Sequence, residues 1–132
     1  MKKSLKIISV VLISILAVTV LAIGGYKVMK QIEHNEMMKI VKSDEVQMVI
    51  EKRLRTIDSK AFTLEGVIQS YEVDYNSVKH NPMGGIMVKI YVNHKKENLV
   101  TLTLVKETID NRIHMGSSSV SKELRETIEN NE

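Results

Sequence analysis

An α+β fold follows from three features of this 132-residue chain. A charge-free apolar run lies near its start, a one-sided helical stripe comes next, and period-two alternation begins near residue 67. The expected order is an N-terminal transmembrane helix, an amphipathic helix packed on a four-stranded antiparallel meander, and a short C-terminal helix. Residues 1–6 form a basic flank, 7–26 a membrane anchor, and 27–57 the amphipathic helix. Residues 58–132 supply the sheet and last helix, and with 27–57 form one extracytoplasmic domain.

The apolar run, residues 7–25, reads IISVVLISILAVTVLAIGG, with twelve Ile, Leu or Val. As a helix, nineteen residues rise about 28 Å, close to the ~30 Å hydrocarbon core of a bilayer. Ser9, Ser14 and Thr19 subtract little, because their hydroxyls can bond carbonyls one turn back. Gly24 and Gly25 end the run, and Tyr26 with Lys27 forms an interfacial anchor pair. A cleaved signal peptide is the competing reading, with Ala22-Ile23-Gly24 as a small-x-small site. Its apolar region is normally only about 7–15 residues, which favours the uncleaved anchor. Lys2, Lys3 and Lys6 place the N-terminus in the cytoplasm and the body outside.

From 27 to 57 there is no Pro or Gly. Val46, Val49, Ile50, Leu54 and Ile57 recur at three- and four-residue steps, while Glu45, Glu51, Lys52 and Arg55 lie mostly off that stripe. A helix is expected from about 29 to 57, with a break near Ser43-Asp44, where Ser43 can cap a new start. Strands follow at 67–78, 86–93, 99–106 and, more weakly, 112–118. In the first, Tyr71, Val73 and Tyr75 share one face and Ser70, Glu72 and Asp74 the other. In the next two, Ile86, Val88, Ile90 and Val92, then Val100, Leu102 and Leu104, form apolar faces. The connections carry turn residues: Asn81-Pro82-Met83-Gly84-Gly85, residues 94–98, and Asp110-Asn111. Ser121 can cap a final helix, 122–129, with Leu124 and Ile128 one turn apart. The helix stripe and the sheet's apolar face must cover each other. By analogy only, a helix followed by a four-stranded meander resembles a cystatin-like wrap.

Charge and composition bound the function. The sequence pI is about 9.1, a value that raises nucleic acid as a partner. The net charge is +3, and three Lys lie in residues 1–6, so residues 27–132 hold sixteen bases against sixteen acids. The basic excess is a topology signal, and no nucleic-acid partner is expected. Aromatic content of 4% without Trp argues against base-stacking platforms. The absence of Cys excludes disulfides, thiolate metal sites, a cysteine nucleophile and a lipid-modified cysteine.

No catalytic constellation emerges. His34, His80, His94 and His114 show no paired ligand spacing, so no metal is expected, nor any other cofactor. His114, between Ile113 and Met115 in a strand, is expected to face solvent. Ser117, Ser118 and Ser119 lack a nucleophile elbow. Glu72 and Asp74 share the polar face of a strand and are expected to be solvated rather than an acid–base pair. Most of the eight Met are expected to fill the core, with Met83 exposed in a turn. The most distinctive stretch is Lys79-His80-Asn81-Pro82-Met83-Gly84-Gly85. Pro fixes one dihedral and two glycines permit positive φ, so the turn shape is strongly specified. Ordinary hairpin chemistry explains it. The functional alternative is a presented binding loop formed by His80, Asn81, Pro82, Met83, Gly84 and Gly85, with His80, Asn81 and Met83 as contacts.

At this loop the chain resembles a family. The segments MKIVKS at 38–43, GVIQSY at 66–71, Asp74-Tyr75 and above all VKHNPMGGI at 78–86 are similar to the domain of unknown function numbered 1310. Its members are small proteins of low-GC Gram-positive bacteria. The resemblance covers roughly 37–120 and implies an N-terminal hydrophobic segment with a small extracytoplasmic body. It implies no activity, cofactor or catalytic residue. The expected function is a membrane-anchored, non-enzymatic binding or interaction module. It would partner membrane lipid through 7–26 and a protein or envelope ligand through its body. An immunity-type protein neutralising a secreted toxin is a sharper version. An envelope hydrolase using Glu72, Asp74 or a histidine is the rival class.

Overall fold

The computed structural model describes residues 2–132. The chain divides into two compact units, 1–35 and 36–132. Helix α1 (Lys2–Val41) contains the apolar run, and helix α2 (Asp44–Ile57) follows it. Strands β1 (Tyr71–His80), β2 (Ile86–Val92), β3 (Lys95–Lys106) and β4 (Ile113–Val120) come next, then helix α3 (Lys122–Asn131). The strands form one antiparallel sheet in the order β1-β2-β3-β4, the expected meander.

In α1 the most apolar 18-residue window has a mean hydropathy of 2.9, and none of it is buried. This helix is long and apolar enough to span a membrane. The hydroxyls of Ser9, Ser14 and Thr19 donate to the carbonyls of Leu5, Val10 and Ile15 at 2.8–2.9 Å. Those polar groups are therefore satisfied within the helix. The helix does not stop at the two glycines but runs unbroken to Val41. Each glycine costs about 1 kcal/mol of helix propensity. That cost is small beside the hydrogen bonds of a 40-residue helix, so the glycines do not interrupt it.

The break falls at Lys42-Ser43. Ser43 has extended backbone, and its hydroxyl accepts from the Val46 N–H at 3.3 Å, the capping arrangement of a new helix. Asp44 and Glu45 in the first turn complement the positive end of α2. Val46, Ile50 and Leu54 are fully buried against Val88, Ile90, Val92, Val100 and Leu102 of the central strands. Each such side chain contributes about 2 kcal/mol through burial. Helix α3 seals the same core with Leu124 and Ile128, and its cap Ser121 accepts from the Leu124 N–H.

Three bulges depart from simple alternation. In β1, residues 75–78 stand opposite Val88 alone. Alternation is therefore reset: Val78 turns into the core, and Tyr75, expected on the apolar face, is exposed. Ser77 stitches this bulge by accepting from the Lys89 N–H and donating to the Asp74 carbonyl. In β3, residues 96–98 have no partners in β2. In β4, Gly116 is the extra residue; an added Cβ would lie 2.6 Å from Val105 Cγ2. Residues 67–70, expected as strand, instead form a braced loop. The buried carboxylate of Asp58 accepts from the N–H groups of Lys60, Val67 and Ile68 at 2.9–3.1 Å. The expected 94–98 connection is shorter than anticipated. Asn93 and His94 both adopt positive φ, 56° and 58°, and form a two-residue hairpin turn between β2 and β3.

Candidate functional site

The β1–β2 connection places the expected binding residues in one hairpin loop. Asn81 builds it. Its N–H donates to the Gly85 carbonyl at 2.9 Å, its carbonyl accepts from Gly84 N–H at 2.8 Å, and its Oδ1 accepts from Met83 N–H at 3.1 Å. Pro82 supplies the second turn position, and Gly84 and Gly85 take φ of 105° and 90°. Gly85 is further constrained, because an added Cβ would meet the Leu104 carbonyl oxygen at 2.5 Å. These bonds present Met83 at the tip, 96% exposed. His80 and Pro82 are also exposed. His80 lines a mostly apolar groove of about 380 Å³ with Met37, Ile40, Ile86 and Ile113. Thus His80 and Met83 point outward, whereas Asn81, expected as a contact, chiefly holds the loop's shape.

The acidic residues of β1 have separate partners. Glu72 bonds His94 Nδ1 across the hairpin. Asp74 accepts from the Tyr91 hydroxyl at 3.2 Å, and its Oδ1 accepts from Asn76 N–H. Partial desolvation, then the Asp74 hydrogen bond, raises the Tyr91 pKa, so the phenol stays protonated. A cavity of about 470 Å³ lies beside β1, lined by Lys42, Gln47, Glu51, Phe62, Tyr71 and Tyr75. Tyr71 donates to Glu51 at 3.2 Å, and Lys42 lies 5.3 Å from the centroid of the Tyr75 ring. Burial and then the Glu51 charge raise the Tyr71 pKa, which keeps it a donor. These contacts fix the side chains of β1 against α2 and β2.

The β3–β4 turn brings together Glu107, Asp110 and His114, with one ligand atom of each within 4.8 Å of the others. Their oxygen and nitrogen donors could hold a divalent cation. The same contacts also build the turn. Asp110 accepts from Arg112 N–H at 2.9 Å and pairs with His114 Nε2 at 2.8 Å. The Arg112 bond, then the His114 bond, lowers the Asp110 pKa below 3.8. His114, expected to face solvent, is partly exposed and pairs with Asp110. Sequence spacing missed the cluster because a turn, rather than a helix or strand period, assembles it. Of the three serines in β4, Ser117 and Ser119 are exposed, while Ser118 Oγ is shielded and has no hydrogen-bond partner.

The family model described as "Protein of unknown function (DUF1310)" matches residues 8–127. No curated protein and no solved structure matches the chain at a significant level, so the cystatin-like analogy gains no structural counterpart.

Proposed function

The chain belongs to the DUF1310 family of proteins of unknown function, and from its own residues we propose that it is a membrane-anchored, non-enzymatic binding module. The observation that carries this reading is the wholly unburied apolar window of α1. A helix apolar on every side is stable where lipid surrounds it. The basic flank at Lys2, Lys3 and Lys6 supports a cytoplasmic N-terminus and an extracytoplasmic body. The body carries equal numbers of bases and acids, so it has no net pull on polyanions. Glu72 and Asp74 have separate partners, His94 and Tyr91, rather than forming a paired-carboxylate site.

The β1–β2 loop is the proposed contact element, with His80 and Met83 presented on a backbone fixed by Asn81, Pro82, Gly84 and Gly85. Affinity capture of tagged full-length chain from solubilised membranes tests it. Wild type should retain a protein or envelope ligand that His80→Ala/Met83→Ser releases. Identical capture by both chains, with an unchanged fold, would remove the loop from the reading. Protease added to intact protoplasts should degrade the body, and its protection would reverse the orientation.

A further inference from the structure

Among the described residues, the three most exposed large apolar side chains are Leu64, Met83 and Ile109, each more than nine-tenths exposed. Single exposed apolar residues are ordinary, but two of these share one end of the sheet. In the meander, residues 81–85 and 107–112 connect strands at the same end, with His80 opposite Ile86 and Lys106 opposite Ile113. The two hairpins are about 10 Å apart, two strand spacings. Met83 lies at the tip of the first, and Ile109 lies in the middle of the second turn. Leu64 lies at the opposite end, where Gln69 bonds both the Thr63 carbonyl and Asn93 of the β2–β3 turn. Both tips are held by their own backbones. Asn81 ties the first together through Met83, Gly84 and Gly85. In the second, the Glu107 N–H donates to the Arg112 carbonyl at 3.0 Å, and Asp110 accepts from the Arg112 N–H at 2.9 Å. Such loops can leave bulk water with these backbone groups still paired.

The chain enters the body at this same end. Met37 and Ile40 line a groove with His80, Ile86 and Ile113, which border the two connections. Eleven residues, 26–36, join Met37 to the apolar run. As helix they rise about 16 Å. A link that short limits how far this end can stand from a bilayer holding residues 7–25. We propose that Met83 and Ile109 form a two-point apolar foot that dips into the interfacial layer of the anchoring membrane, so that phospholipid is the partner of the β1–β2 loop. Removal of both tips from water drives the contact. Lys79, Lys106 and Arg112 flank the tips against Glu107 and Asp110. That balance does not select anionic lipid, and neutral phospholipid suffices. The inference deepens the binding-module reading and rests on it, the anchor included.

The chain has no Trp, so a single introduced Trp reports its own surroundings. Full-length Met83→Trp, Ile109→Trp and Leu64→Trp chains are each reconstituted into phosphatidylcholine vesicles, with and without phosphatidylcholine spin-labelled near the top of its acyl chain. All three sites are exposed, so the substitutions should spare the fold, checked by denaturation midpoints. Emission from Met83→Trp and Ile109→Trp should shift to the blue and be quenched by the label, and Leu64→Trp should show neither change. Adding Ile109→Asp to the Met83→Trp chain should cut the quenching about twofold or more, because a carboxylate resists leaving water. Equal behaviour at all three positions, or quenching at 83 that ignores Ile109→Asp, would overturn the proposal. A blue shift without lipid quenching would overturn it too, because Met83 would then meet protein, a second copy included. Flotation separates the failures. Chains that float with the vesicles but show no quenching lose the foot and keep the anchor, whereas chains that do not float lose both. A protein captured through His80 and Met83 while residue 83 stays in water would overturn the lipid assignment and leave the binding-module reading standing.

Discussion

Helices α1 and α2 are separated by two residues, yet their side chains face opposite solvent problems. In α1, consecutive residues Val11, Leu12 and Ile13, and then Ile15 and Leu16, are all at least half exposed. No face is reserved for a protein core, and the helix is long and apolar enough to span a membrane. In α2 the apolar residues occupy one stripe, Val46, Ile50 and Leu54, each buried to 1% exposure or less. Its other face carries Lys52 and Arg55 into water. Total hydrophobicity therefore distinguishes these helices less than its angular distribution does. The former is apolar on every side, and the latter is apolar on the one stripe that the sheet covers.

Substitutions can break this contrast from either side. The largest effect is expected for Leu54→Ala, which removes a fully buried side chain from the core. It should cost the body about 4 kcal/mol in chemical denaturation while leaving membrane association unchanged. Leu16→Arg should do the reverse. It should cost about 3 kcal/mol of insertion free energy, read as increased release from membranes by alkaline carbonate, with the body's unfolding midpoint unchanged. If Leu16→Arg instead unfolded the body, α1 would have to be packed on protein. Asp58→Ala is intermediate. It orphans the N–H groups of Lys60, Val67 and Ile68, and a loss of about 2 kcal/mol is expected in the same denaturation assay. Ser43→Ala removes only the cap between the helices and should cost about 1 kcal/mol, with reduced hydrogen-exchange protection confined to the first turn of α2.

The smallest effect is acid dependence at the β3–β4 turn. Asp110 has a folded pKa below its ordinary 3.8. Its contribution is complete above that ordinary value and is lost as pH falls through the depressed folded value. Asp110→Asn should flatten this part of the stability profile below about pH 4, measured by thermal unfolding across pH. Because the side chain is exposed, the change should be slight beside those at Leu54 and Asp58.

Much of this architecture was legible in the chain. The spacing of Val46, Ile50 and Leu54, the caps at Ser43 and Ser121, and the alternation at Val88, Ile90 and Val92 report local periods. Those periods survive because burial acts on the same faces. Features set by distant partners were not legible. The β1 bulge that exposes Tyr75 depends on Ser77 meeting the Lys89 backbone. The Asn93-His94 turn accepts positive φ partly because Asn93 also ties down the N–H groups of Gln69 and Ser70. The loop motif at 79–85 was visible, but the division of labour between Asn81 and Met83 required its hydrogen bonds.

The two ends of β4 have a consequence for how copies of this protein coexist. As the last strand of the sheet, β4 could template pairing with another chain. Glu45 accepts the Ile113 N–H at 2.8 Å, and Arg125 donates to the Val120 carbonyl at 3.2 Å. At the opposite edge, the bulge in β1 interrupts a regular row of donors and acceptors. Another chain meeting either edge therefore finds an interrupted row of donors and acceptors rather than a regular ladder, an arrangement that disfavours edge-to-edge pairing.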